Sequence, residues 1–228
     1  MPPGLLLPTL YHHTLCPFSR KVRVVLHEKH ISFTEAVQET WRHDMGFLSI
    51  NPAGEVPVWL EDDGTMVADS ATICEYIEET QPEPRLIGRT TQDRAEARRL
   101  AAWFDRKFFD EVTINLAGEK LNRRMVSGGA PDSRALKAGR DNIHTHMQYI
   151  TWLTERRSWL AGDHLSIADI AAAAHLSLID YSGDVPWDDY ALTKEWYVRI
   201  KSRLSFRCLL RDTLPGIAPA PAYADLDF

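Results

Sequence analysis

Apolar and polar positions follow one rhythm over residues 1–81 and another beyond. Residues 6–11 read as a short strand. Pro17 stands where a first helical turn tolerates a missing N–H, and it opens an amphipathic run carrying Val22, Val25 and Leu26. Residues 31–37 predict a second strand, residues 41–50 a short helix and residues 57–60 a third strand. Asp62-Asp63-Gly64 is a hairpin turn leading into residues 66–68, and a helix beginning at Ser70 closes the unit. The order is β-α-β-α-β-β-α, with parallel pairing first and an antiparallel hairpin last. Gln81-Pro82-Glu83-Pro84 then breaks the pattern, because each proline drives its predecessor away from helix. The expected domains are therefore residues 1–81 and 92–212, joined by a linker over 82–91 and followed by an extended, proline-rich tail over 213–228.

In the second domain the apolar positions take a helical period. Leu100, Phe104, Phe108, Val112 and Leu116 step by four along a helix of roughly thirty residues, with Trp103 widening the stripe. Ser127-Gly128-Gly129-Ala130-Pro131 ends it. Residues 132–157 predict a second helix with Ile143, Met147, Ile150 and Leu153 facing inward, paired antiparallel with the first. Further on, Ser166 is an N-cap, and Asp169 three residues later reaches back to its N–H in a capping box flanked by Leu165 and Ile170. The helix they start runs through Ala171 to Ala174 with few charges on any side, which places it in the domain's middle.

Composition removes several classes of function. No apolar run approaches the roughly 20 residues of a membrane span, and residues 1–9 lack the basic start and long apolar stretch of a signal peptide. The expectation is a cytoplasmic protein without membrane insertion. A formal net charge of -6 over 228 residues denies the molecule the positive field that nonspecific nucleic-acid binding uses. Cys16, Cys74 and Cys208 are an odd, widely spaced set, which disfavours a disulfide framework or a structural zinc site. His144 and His146 lie two apart on a helix and face different ways, and no histidine–carboxylate set has ligand spacing, so no metal is expected. His12 and His13 flank the end of the first strand.

Three short signals carry chemistry. Cys16-Pro17-Phe18-Ser19 lies where a strand gives way to a helix N-terminus, whose dipole and free N–H groups pull a thiol below its free pKa of about 8.5. Cys16 is thus a candidate nucleophile, and the plainer alternative is a half-buried cysteine without a chemical role. Ser19 occupies the place of a second cysteine, leaving only monothiol reactions. Val56-Pro57 follows the loop Asn51-Pro52-Ala53-Gly54-Glu55, and a cis bond there would turn the Val56 backbone toward an extended ligand. Asp69-Ser70 opens the next helix. Either the hydroxyl and the helix N-terminus receive a ligand carboxylate, or one of the two residues caps its own helix.

These stretches, in this order within one βαβαββα unit, resemble the glutathione transferase superfamily. The matching residues are Cys-Pro-Phe-Ser at 16–19, Asn-Pro-x-Gly-x-Val-Pro at 51–57, Asp-Ser-x-x-Ile at 69–73 and Leu-x-Gly-Asp-x-x-Ser-x-Ala-Asp at 160–169. The likeness covers nearly the whole chain. It implies an α/β, thioredoxin-like N-terminal domain and an all-α C-terminal domain. It also implies a cis Pro57, a Val56 backbone pairing with the cysteinyl unit of glutathione, a Ser70 holding the γ-glutamyl carboxylate and a Cys16 in the catalytic corner. Asp69 is shorter than the family's usual Glu, which lowers the expectation of glutathione binding. Trp41-Arg42-His43 lies where the family often meets the glycine carboxylate. The family further implies a homodimer, with part of residues 98–124 at the interface.

Within the superfamily the chain is most similar to the cell-division members of alphaproteobacteria that bind the tubulin homologue FtsZ. The likeness lies in Trp103-Phe104-Asp105-x-Lys107-Phe108, Glu119-Lys120, residues 178–187 and the ending 221–228. It implies a protein without a required cofactor that binds and bundles curved FtsZ filaments at the division site. The tail itself reads in two ways: Asp225, Leu226, Asp227 and Phe228 form a docking peptide for FtsZ, or Tyr223, Leu226 and Phe228 pack back on the domain and leave the carboxylates in solvent. The competing function is a glutathione-dependent transferase or thiol transferase using Cys16, with glutathione as its cofactor. Architecture does not separate the two.

Overall fold

The computed structural model describes residues 7–226 and divides into two compact units, residues 1–84 and 85–228. In the first, β1 (Thr9–His12), α1 (Pro17–Glu28), β2 (Thr34–Val37), α2 (Met45–Ile50), β3 (Val58–Leu60), β4 (Met66–Ala68) and α3 (Ser70–Thr80) follow in the expected order. The sheet runs β2-β1-β3-β4. β1 pairs parallel with β2, antiparallel with β3 through Tyr11↔Val58, and β3 pairs antiparallel with β4 through Val58↔Ala68. Leu10, Val22, Val25, Leu26, Val58, Trp59, Ile73 and Ile77 make its buried core. Gly64, at φ +89°, closes the hairpin where a side chain would be strained.

One expected helix is two elements. A short turn over Thr40–Arg42 stops at His43, in the left-handed region at φ +49°, and α2 starts afresh where Asp44 accepts a 2.8 Å hydrogen bond from the Phe47 N–H. Asp44 is an N-cap inside what periodicity alone joined.

The second unit is helical. α4 (Thr91–Ala102) continues without a break through Trp103–Asn122 into α5 (Arg123–Val126), followed by α6 (Ser133–Thr154), α7 (Ile167–Tyr181), α8 (Ala191–Lys201) and α9 (Arg207–Leu210). Over Trp103–Asn122 the helix has π-type winding, and the Arg123 N–H bonds the carbonyl five residues back at Gly118. Phe104, Phe108, Val112 and Leu116, four residues apart along this segment, are all buried. α6 lies antiparallel to this segment: Trp103 meets His146, Glu111 meets Asn142, and Gly139 lies against Leu116. Every residue of α7 is buried, as its all-round apolar sequence requires.

Candidate functional site

The corner at the C-terminal end of β1 is built by hydrogen bonds within a few residues. Cys16 is the N-cap of α1, and its N–H donates to the His13 carbonyl at 3.0 Å. Ser19, fully buried, joins loop to helix: its Oγ accepts from the His13 N–H at 3.3 Å and its own N–H donates to Cys16 Sγ at 3.4 Å. Arg20 Nε donates to the Thr14 carbonyl at 2.8 Å. The Leu15 N–H donates to His13 Nδ1, and the His13 ring stands edge-on to Trp41 at 5.1 Å. Of the predicted Trp41-Arg42-His43 trio, Trp41 therefore packs on the corner, and Arg42 pairs with Glu39 at 2.5 Å.

The thiol departs from the expectation of a lowered pKa. Burial pushes Cys16 up, and this outweighs the hydrogen bonds from Ser19 and Phe18 and the charge of Lys21, which act the other way. The residue keeps partial exposure, which moderates the burial effect without reversing it. The protonated sulfur donates to the Val56 carbonyl at 3.6 Å. Cys16 thus holds its proton against a backbone acceptor.

Sheet register brings the other predicted residues to the same end. Val56 lies two residues before Val58 and Ser70 two after Ala68, and Val58 and Ala68 are partners in the ladder. Both flank the end where β1 runs into Cys16. Asn51 sets the approach: its Nδ2 donates to the Glu55 carbonyl at 2.9 Å and its Oδ1 accepts from the Ala53 N–H. Val56-Pro57 is cis. Asp69 is the N-cap of α3, accepting from the N–H groups of Ala71 and Thr72 at 2.9 and 3.0 Å. It does so at φ +75°, a conformation costing a non-glycine residue on the order of 1–3 kcal/mol. Of the Asp69-Ser70 pair, then, Asp69 caps its own helix. Ser70, 4% exposed, makes no side-chain hydrogen bond to any described residue.

Ser166 and Asp169 form the capping box of α7. Asp169 accepts four hydrogen bonds: Leu160 N–H at 2.8 Å and Trp196 Nε1–H at 2.9 Å on Oδ1, Ser166 N–H at 3.0 Å and Ser166 Oγ–H at 2.9 Å on Oδ2. The described part of the tail is not an extended peptide. Tyr223 has no exposure, donates through its hydroxyl to the Leu209 carbonyl at 2.8 Å and packs on Tyr181 at 5.0 Å between ring centroids. Asp225 is exposed and Leu226 half-buried, while Asp227 and Phe228 lie outside the described residues.

Sequence reasoning missed the buried polar pairs of the second unit. His146, without exposure, accepts from Trp103 Nε1–H at 3.1 Å and bonds Glu111 at 2.9 Å. Burial holds its pKa below the ordinary range. Lys201, also without exposure, contacts Asp180 at 3.4 Å. Their available signal was a charged or imidazole side chain at a position the apolar period assigns to the core.

The corner can offer Ser70 Oγ–H, the α3 N-terminus and the Val56 backbone to an extended polar ligand, but it supplies no preformed thiolate. Residues 15–80 match the family described as glutathione S-transferase, N-terminal domain, and residues 131–203 match glutathione S-transferase, C-terminal domain. FtsZ-localized protein A of Caulobacter vibrioides is 49% identical over 223 residues, 96% of this chain and 98% of that one. The crystal structure of a glutathione S-transferase from Rhodospirillum rubrum F11 is 58% identical, with a TM-score of 0.96 over 97% of this chain and 100% of that one. The structure of FzlA from C. crescentus is 49% identical, with a TM-score of 0.94 over 97% of this chain and 99% of that one.

Proposed function

The chain belongs to the glutathione S-transferase superfamily, and from that membership we propose that it is a non-enzymatic cell-division protein that binds FtsZ and bundles or curves its filaments. The observation that carries the proposal is the 49% identity, from end to end, with a protein named for its localisation to FtsZ. The corner supports it chemically. A thiol that burial keeps protonated and that donates to the Val56 carbonyl is poorly prepared to attack or to activate a thiol substrate. The protein acts in the cytoplasm at the division site as a homodimer, without a cofactor. It engages the polymer through the tail residues Asp225, Leu226, Asp227 and Phe228. Pelleting with GTP-assembled FtsZ, without turnover of glutathione and a generic electrophile, is the expected result. Failure to pellet while turning over such a substrate would overturn the proposal.

The alternative, a glutathione-dependent transferase, is favoured by one observation: the buried Ser70 hydroxyl without a described partner, at the sheet end shared with Val56 and Cys16. Retention on glutathione resin that is lost in Ser70→Ala, together with turnover that depends on Cys16, would support that reading.

A further inference from the structure

We infer that Lys201 is a positioning residue for the tail: its buried ammonium fixes the backbone at Ala222 and so presents Asp225 and Leu226 along the outer face of α8. The inference rests on the reading above, in which residues 225–228 contact FtsZ, and adds to it what holds that contact in place.

A lysine with no exposure is rare unless its charge is paired. Lys201, the last residue of α8, donates to Asp180 Oδ2 at 3.4 Å and to the Ala222 carbonyl at the shorter 3.0 Å, and lies 5.8 Å from the Tyr197 ring centroid. Asp180 is held in turn by Trp187 Nε1–H at 3.1 Å and the Tyr197 hydroxyl at 3.3 Å. The ammonium therefore joins the end of α7 to the tail. Burial works against the charge on both members, lowering the Lys201 pKa and raising that of Asp180, so the tail carbonyl is an acceptor this buried charge needs.

The Ala222 carbonyl has a second donor, the Asp225 N–H at 3.1 Å. One oxygen thus receives both the latch and the turn that aims Asp225. Upstream the segment is fastened at short intervals: the Tyr181 hydroxyl donates to the Ile217 carbonyl at 2.7 Å, and the Ala220 N–H donates to the Tyr181 carbonyl at 2.9 Å. Downstream, tail residues border two clefts. One, of about 670 Å³, is bordered by Asp225 with Trp187 and Lys194. The other, of about 960 Å³, is bordered by Leu226 with Leu192 and the same Lys194.

The test uses the full chain with Lys201→Met, and with Lys201→Met/Asp180→Asn so that no unpaired carboxylate is left buried. Amide hydrogen exchange over residues 220–226 should speed up by about tenfold or more while α6 keeps its protection. Co-sedimentation with FtsZ should fall. Asp225→Lys should weaken pelleting of the otherwise wild-type chain and should have a smaller effect in the Lys201 variants, because a residue no longer held in place has less to lose. Unchanged exchange in the tail, or an Asp225→Lys effect that adds in full to that of Lys201→Met, overturns the inference. A wild-type chain that fails to pellet at all overturns the underlying reading instead.

Discussion

Alkylation of Cys16 as a function of pH tests the chemistry of the corner directly. A free thiol of pKa about 8.5 is only about 7% ionised at pH 7.4. Burial pushes Cys16 upward from its ordinary value, so its thiolate fraction at neutral pH falls below that figure. A thiol activated by its helix N-terminus to a pKa near 6.5 would instead be about 90% ionised, so the two cases differ by about tenfold or more in thiolate fraction and, more sharply, in where the rate levels off with pH. The assay is iodoacetamide labelling followed by peptide mass spectrometry, which separates Cys16 from Cys208, also partly exposed, and from buried Cys74. The expected rate rises about tenfold per pH unit through neutrality and does not level off below about pH 8.5. A plateau below pH 7.5 would refute the reasoning, since it would mean that the Ser19 and Phe18 N–H groups outweigh desolvation.

Asp169→Ala leaves four donors without their acceptor in a fully buried site, and at about 1–3 kcal/mol for an orphaned group, with some refilling by water, the loss is about 3 kcal/mol or more. Asp169→Asn keeps the shape and should cost less; urea denaturation of the two variants gives the comparison. Glu96 has its pKa lowered to about 2, first by the hydrogen bond from Arg99 and then by that from Arg157. Its folded pKa is depressed, so its contribution to stability is present above about pH 4.5 and is lost as pH falls toward 2. A Glu96→Gln variant should show a flatter melting temperature over that range. At Gly139 an added Cβ would lie 2.7 Å from Leu116 Cγ and 3.0 Å from Asn115 Cβ, so Gly139→Ala should destabilise by about 1–3 kcal/mol, read in the same denaturation experiment.

Much of the fold was legible because it rests on local signals. The order of elements in the first unit followed from turn residues and prolines, and the capping box at Ser166 and Asp169 from spacing alone. The break at His43 was not legible, since left-handed backbone at a non-glycine residue is set by what surrounds it rather than by residue type. Apolar positions four apart were visible between Leu100 and Leu116, but the π-type winding of Trp103–Asn122 was not. At the site, motif order located Cys16, Val56 and Ser70. The direction of the thiol's pKa was misjudged because sequence reveals the helix N-terminus and not the burial that competes with it.

In the stretches that liken this chain to the FtsZ-localized relative, several polar side chains tie the protein to itself. Lys120 pairs with Asp184 at 2.6 Å, and Glu119 accepts the Asp132 N–H at 2.8 Å, so both members of Glu119-Lys120 fasten loops to the long helix. Asp180 and Trp187 bond each other beneath the tail, and Tyr181 holds it at Ile217 and Ala220. Residues 178–187 therefore act as a platform whose product is the position of residues 214–226. A side chain buried in such a platform touches no partner, yet its loss displaces every group the tail carries, whereas the loss of one exposed tail group removes that group alone. Trp187→Phe, which keeps an aromatic ring beside Tyr197 while deleting the hydrogen bond to Asp180 and the volume of the second ring, probes the platform with a limited change of shape. It should loosen the tail in hydrogen exchange at a global cost of about 1–3 kcal/mol, from the lost hydrogen bond and the lost ring volume together. A tail that stays protected in this variant would mean that tyrosine packing alone positions it.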